Sequence, residues 1–177
     1  MIFLNANTLS TWVKLESVTW DVQRFGVENG FLSSHDAVHF ALARLKAKIV
    51  VSSTEEEIAL LLSDELDRFP ELLTAGPAPD REIAARVWAF TGLSEVRFRW
   101  ATFERPWDEI AEMLEILDEP AGYKSLVYYG PIPLLSRAPG IKGLTKKLDN
   151  ILSKDGQMFG YADGVMVARS EGSSEPI

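Results

Sequence analysis

His35 and His39 are the two histidines of this 177-residue chain, and they stand four apart in His35-Asp36-Ala37-Val38-His39. On a helix, positions i and i+4 share a face, so both imidazoles could ligate one zinc ion. An acid directly after the first histidine mimics the H-E-x-x-H arrangement, in which that acid is the general base of a hydrolase. Three features weigh against it. Aspartate is one methylene shorter than glutamate and would hold a water differently. With no further histidine and no cysteine in the chain, a third ligand would have to be a carboxylate. The pair also opens a helix, where Asp36 is explained by favourable charge against the helix dipole. The expectation is a structural role and no cofactor, with a metal-dependent hydrolase using His35 and His39 as the alternative.

Carboxylates are the other candidates. Between Ser53 and Glu71 there are seven acids and one base, a local balance of −6. Between Glu104 and Glu119 the count is again seven to one. Asp108, Glu112, Glu115 and Glu119 fall at helical spacing, opposite Ile110 and Leu117. Paired carboxylates can cleave glycosides or hold divalent metal, but only at a fixed separation, which spacing along the chain does not set. A solvated helix face is the simplest reading. Like charges gathered on one face also repel, and a basic protein partner would relieve that cost and be steered in quickly. The residues assigned to such a contact are Glu56, Glu57, Asp64, Asp67, Asp108, Glu112, Glu115 and Glu119, with Trp107 and Tyr123 as aromatic anchors.

The rest of the composition narrows the classes. Acids outnumber bases 26 to 18, for a net charge of −8, which disfavours nucleic-acid binding. Arg137, Lys142, Lys146, Lys147 and Lys154 face only Asp149 between positions 137 and 154. Pairing with the chain's own acidic blocks, or plain solvation, explains them more simply than a phosphate or membrane contact. The absence of cysteine excludes a disulfide framework, a thiol nucleophile and a Cys-ligated metal. There is no G-x-x-x-x-G-K-[ST], no G-x-G-x-x-G after a strand and no G-x-S-x-G elbow. The start, MIFLNANTLSTWVK, lacks the basic n-region and cleavage site of a secretory signal. No run approaches the roughly eighteen apolar residues of a membrane helix. A cytoplasmic location is expected.

The elements that must position these residues are mainly helical. The pattern predicts one helix from Glu16 to Asn29, closed by Gly30 as the C′ residue, and a second from Ser33 or Ser34 to Lys48. Thr54 and Glu57 make a capping-box pattern for a third, with Ile58, Leu61, Leu62, Leu66 and Phe69 inward. Asp80 caps a fourth. Val96, Phe98 and Trp100 alternate with arginines, as in a strand, although the flanking helices favour helix. Pro106 opens a further helix to about Asp118. Ile141, Leu144, Leu148, Ile151 and Leu152 give a basic amphipathic helix. Asp163-Gly164, between Gln157–Tyr161 and Val165–Arg169, is a hairpin signal. The fold class is therefore mainly α: a single helical domain over residues 1–170, with six or seven helices and a C-terminal β-hairpin, followed by a disordered tail at 171–177.

Two stretches resemble a known family. The first is Trp20-Asp21-Val22-Gln23-Arg24-Phe25-Gly26-Val27-Glu28-Asn29-Gly30-Phe31-Leu32-Ser33, with Ala37-Val38-His39-Phe40-Ala41 behind it. The second is Ile116-Leu117-Asp118-Glu119-Pro120, followed by Leu126-Val127-Tyr128-Tyr129-Gly130-Pro131. Together they are similar to the bacterial domain-of-unknown-function family 2247, over residues 12 to 133. Glu119 departs from the family's usual aromatic residue, and the chain from Leu134 onward has no counterpart in the pattern. The resemblance brings no catalytic residues. Some members of that family are encoded beside secreted polymorphic toxins, in the position of immunity proteins. The resemblance therefore implies an antitoxin-like protein that neutralises a cognate toxin domain, for instance a basic nuclease, inside the producing cell.

Overall fold

The computed structural model describes residues 4–62, 64–127 and 141–160. Helix α1 (Ala6–Trp12) starts where the Asn5 side chain accepts the Thr8 backbone N–H at 3.0 Å. A 3-10 turn at Leu15–Ser17 leads to α2 (Trp20–Glu28). Gly30, at φ 74°, ends α2 in a left-handed conformation that costs glycine little. The Phe31 N–H then reaches the Gly26 carbonyl at 2.7 Å and the Gly30 N–H reaches Val27 at 3.1 Å. Those two bonds are a Schellman closure. Helix α3 (Ser34–Lys46) follows at once, capped by Ser33.

Helix α4 (Ser53–Ala59) is shorter than the pattern predicts. Its cap is Ser52, whose hydroxyl accepts the Glu55 N–H at 3.1 Å, rather than the Thr54–Glu57 pair. The chain breaks after Ala59, so Leu62 is 63% exposed and not inward-facing. A 3-10 turn at Leu66–Arg68 then starts α5 (Phe69–Ala75), with Pro70 in its first turn, where a missing N–H costs nothing. Helix α6 (Arg81–Phe98) is capped by Asp80, and α7 (Pro106–Ile116) and α8 (Ile141–Phe159) complete the set. The described residues thus hold eight helices, one or two more than expected, and no strand.

Twelve of the eighteen α6 residues are buried, because α1, α2, α7 and α8 all pack on it. Trp88, Leu93, Leu114, Leu148 and Leu152 fill the main core. A Cβ on Gly92 would lie 2.8 Å from Leu4 Cδ2 and collide with the Met113 sulfur, so glycine lets α7 approach α6 closely. A smaller core of Trp20, Ala37, Ala41, Ile58 and Phe69 joins α3, α4 and α5. Helix α2 belongs to both, with Val22 and Phe25 in the first and Trp20 in the second.

Residues 96–98 continue α6, and Trp100–Thr102 form a 3-10 turn, so the alternating run is helical as its flanks suggest. The first arm of the expected hairpin is corrected: Gln157 to Phe159 close α8. Leu148, Leu152, Asp155 and Phe159, spaced 4, 3 and 4, are all buried, so the helical period outlasts the basic stretch. Val165–Arg169 and the tail at 171–177 lie outside the described residues. Among the described residues, no helix is long and apolar enough to cross a membrane.

Candidate functional site

The histidine pair sits in the first turns of α3, with both rings exposed. Asp36 is already engaged there. Its carboxylate accepts the Ser33 backbone N–H at 2.9 Å and the Ser33 hydroxyl at 2.6 Å, while the Asp36 N–H donates to Ser33 Oγ at 3.2 Å. This is a complete capping box. Among the described residues, no three His, Asp or Glu side chains converge as a metal site.

The first acidic block is partly a folding device. Glu55 is 1% exposed, and its Oε1 accepts from Arg44 Nε at 2.7 Å and Gln23 Nε2 at 2.9 Å. Arg44 also donates to the carbonyls of Leu15 and Glu16, each at 3.0 Å. That network fastens α2, α3 and α4 to the turn before α2. Of the contact residues expected here, Glu56, Glu57, Asp64 and Asp67 are exposed. Glu57 pairs with Arg68 at 3.2 Å across the α4–α5 connection.

The second block behaves differently. Ile110, Met113 and Leu114 turn α7 into the core, leaving Asp108, Glu112 and Glu115 exposed on its outer side. Asp108 has Arg105 at 3.5 Å, with both side chains more than two-thirds exposed. Trp107 is half-buried, edge-on to Trp100 with ring centroids 5.5 Å apart. Glu119 lies beyond the helix, at φ 45° after Asp118 at φ 58°, so it does not continue the α7 face. Tyr123 is corrected outright. It is wholly buried, and its hydroxyl donates to Asp155 Oδ2 at 2.5 Å, so it offers no surface to a partner.

Of the two readings of the basic segment, plain solvation fits its described lysines. The ion pairs that hold α8 against α6 come from its aspartates. Asp155 receives Arg86 Nε at 3.0 Å and Nη2 at 2.5 Å, and Asp149 receives Arg97 Nε at 2.7 Å. Burial, then the charge of Asp155, pushes the Tyr123 phenol well above its ordinary range. The Arg86 guanidinium is raised by its bond to Asp155, against the opposing effect of burial. Lys146, Lys147 and Lys154 are exposed, while Arg137 lies outside the described residues, as does the side chain of Lys142.

A groove that the sequence pattern does not reveal lies at the end of α7. Its cleft of about 360 Å³ is lined by the end of α2 (Phe25, Asn29), the start of α6 (Arg81, Glu82, Ala85) and residues 116–121 with Lys124. A second hollow of about 310 Å³ continues it past Glu82 and Ala121 to Ile83, Arg86 and Gly122. The buried carboxylates Glu55, Glu95 and Asp155 are all bonded within the fold. Asp108, Glu112 and Glu115 face solvent.

Fold and surface together define an acidic helical protein whose unmatched charges lie outside its core. Residues 11–156 match the DUF2247 family, described as an uncharacterized protein conserved in bacteria, and the chain belongs to that family. No curated protein and no solved structure matches the chain.

Proposed function

We propose that this chain is an immunity protein: it binds a cognate secreted toxin domain with a basic surface, such as a nuclease, and neutralises it in the cytoplasm of the producing cell. The observation carrying the reading is the outer side of α7. Asp108, Glu112 and Glu115 project from a helix whose opposite side packs into the core, and among the described residues the one ion-pair partner of the three is the exposed Arg105 beside Asp108. A row of like charges held in solvent repels itself and favours a cationic partner. Complementary charge of this kind mainly speeds association and suppresses wrong partners.

The test is co-expression with the product of the neighbouring upstream reading frame. The expected outcome is that the upstream product arrests growth and this chain restores it through a stable complex. Asp108→Lys, Glu112→Lys and Glu115→Lys together should leave the circular dichroism spectrum unchanged and slow association by roughly tenfold or more at low salt. An upstream product that is harmless, or that kills regardless of this chain, would remove the reading. A triple variant that associates as fast as the wild type would move the interface off α7.

A further inference from the structure

The groove at the end of α7 has more carboxylates than cations in its lining. Arg81 shares Glu28 with Arg24: its Nη1 lies 3.3 Å from Glu28 Oε2, Arg24 Nε stands 2.8 Å from Oε1, and the Arg81 guanidinium is 5.6 Å from the Phe25 ring centroid. Arg86 is bound to Asp155. Among the described residues no cation stands within 4.0 Å of Glu82, Asp118 or Glu119, although Glu82 feels the charge of Arg86, and Arg81 and Lys124 line the same cleft. Beneath this acidic rim the floor is apolar, formed by Phe25, Ala85, Leu117 and Pro120. Two large aliphatic side chains stand at the edges, Ile83 at 50% exposure and Ile116 at 44%. Ile116 is one helical turn beyond Glu112, so the outer side of α7 leads to the groove mouth.

We propose that this groove receives an arginine or lysine flanked by aliphatic residues on a protein partner. The basic head would meet Glu82 and Glu119, and the aliphatic neighbours would cover Ile83 and Ile116. The inference rests on the protein-binding reading above and specifies the chemistry of the contact. An acidic or purely apolar segment would leave the rim carboxylates unmatched, which disfavours both.

The experiment uses the full chain, isotopically labelled and titrated by NMR with acetylated, amidated Ala-Leu-Arg-Leu-Ala. The same peptide with glutamate for arginine is the control. Saturable shifts should gather at Phe25, at residues 81–86 and at residues 116–124. Glu82→Lys with Glu119→Lys should weaken the arginine peptide roughly tenfold, while the α7 triple variant stays within about twofold. Absence of saturable binding, an equal response to the glutamate peptide, or shifts elsewhere would overturn the proposal. Growth rescue scores the other reading separately. A chain that takes the arginine peptide in the groove without rescuing growth keeps this inference and loses the immunity reading. A chain that rescues growth but ignores the peptide does the reverse.

Discussion

The two acidic blocks have the same local balance of −6 in the sequence, and the fold uses them in opposite ways. In the first, Glu55 is driven inside α4 and becomes the acceptor at the centre of a buried arginine–glutamine network. Glu57 and Glu65 both reach Arg68, across the break that separates α4 from α5. In the second, the single base, Arg105, stands 3.5 Å from Asp108 in a solvent-exposed pair, and Glu112 and Glu115 point to solvent. Local charge balance therefore does not say whether carboxylates hold a fold together or wait for a partner. The deciding quantity is whether an arginine arrives from another element with its own desolvation already offset by further acceptors. Arg44 does, through two backbone carbonyls. Among the described residues, nothing comparable reaches the outside of α7.

The largest expected effect comes from breaking the buried member. Glu55→Ala strands the Arg44 guanidinium, and removal of one partner of a buried pair costs about 3–5 kcal/mol. Urea unfolding followed by tryptophan fluorescence reads this directly, with Glu112→Ala as the control. If the two variants lose similar stability, the contrast between the blocks is wrong.

Asp155 sharpens the comparison, because a buried carboxylate recurs in the segment that reads as basic. Its partner Tyr123 is pushed above the ordinary phenol value of 10.0, chiefly by burial. A folded-state value raised above the unfolded one means that the native protein keeps its proton where the unfolded chain loses it. The stability from the protonated phenol is therefore complete below about pH 10 and drains away as pH rises further. The wild type should lose stability more steeply than Tyr123→Phe above pH 10, by a difference approaching about 1.4 kcal/mol per pH unit. Parallel alkaline curves for the two proteins would show that Tyr123 already exchanges its proton in the native state.

What was legible in the sequence follows the range of the forces involved. Caps and stops are local, so Gly30, Ser33, Asp80 and Pro106 mark helix ends where the pattern places them. Leu148 and Leu152 likewise reach the core as the helical period predicts. Several of the failures involve partners distant in the chain. A helix running on to Phe69 looked reasonable from apolar spacing. Glu55 is instead held from Arg44 and Gln23, and Phe69 packs with Trp20 and Ile58 after a break. The sequence alone reads Tyr123 as an interface aromatic because nothing nearby announces Asp155, 32 residues later. The groove was invisible for the same reason: its walls come from α2, α6 and the segment after α7. Asp118 and Glu119 carried a faint signal, two acids just before a proline at a helix end. Their left-handed backbone is what carries Glu119 off the α7 face. The pattern does not predict α1, whose seven residues offer less than two helical periods, although Asn5 caps its start.

The smallest effect tests the exposed half of the comparison. Surface substitutions away from caps and buried pairs usually change stability by no more than about 0.5 kcal/mol, and Glu112→Ala should fall in that range. Its sign carries the information. If Glu112 and Glu115 only repel their neighbours, removing them relieves strain, and Glu112→Ala with Glu115→Ala should be slightly more stable than the wild type in dilute buffer. Sodium chloride at about 1 M shrinks the screening length to roughly 3 Å and should erase that advantage. The buried Arg44–Glu55 pair is shielded from the same salt by the protein around it, so the deficit of Glu55→Ala should persist. A double alanine variant that is less stable than the wild type at low salt would mean that these carboxylates support α7 rather than stand ready for a partner. The acidic side of α7 would then belong with the first block.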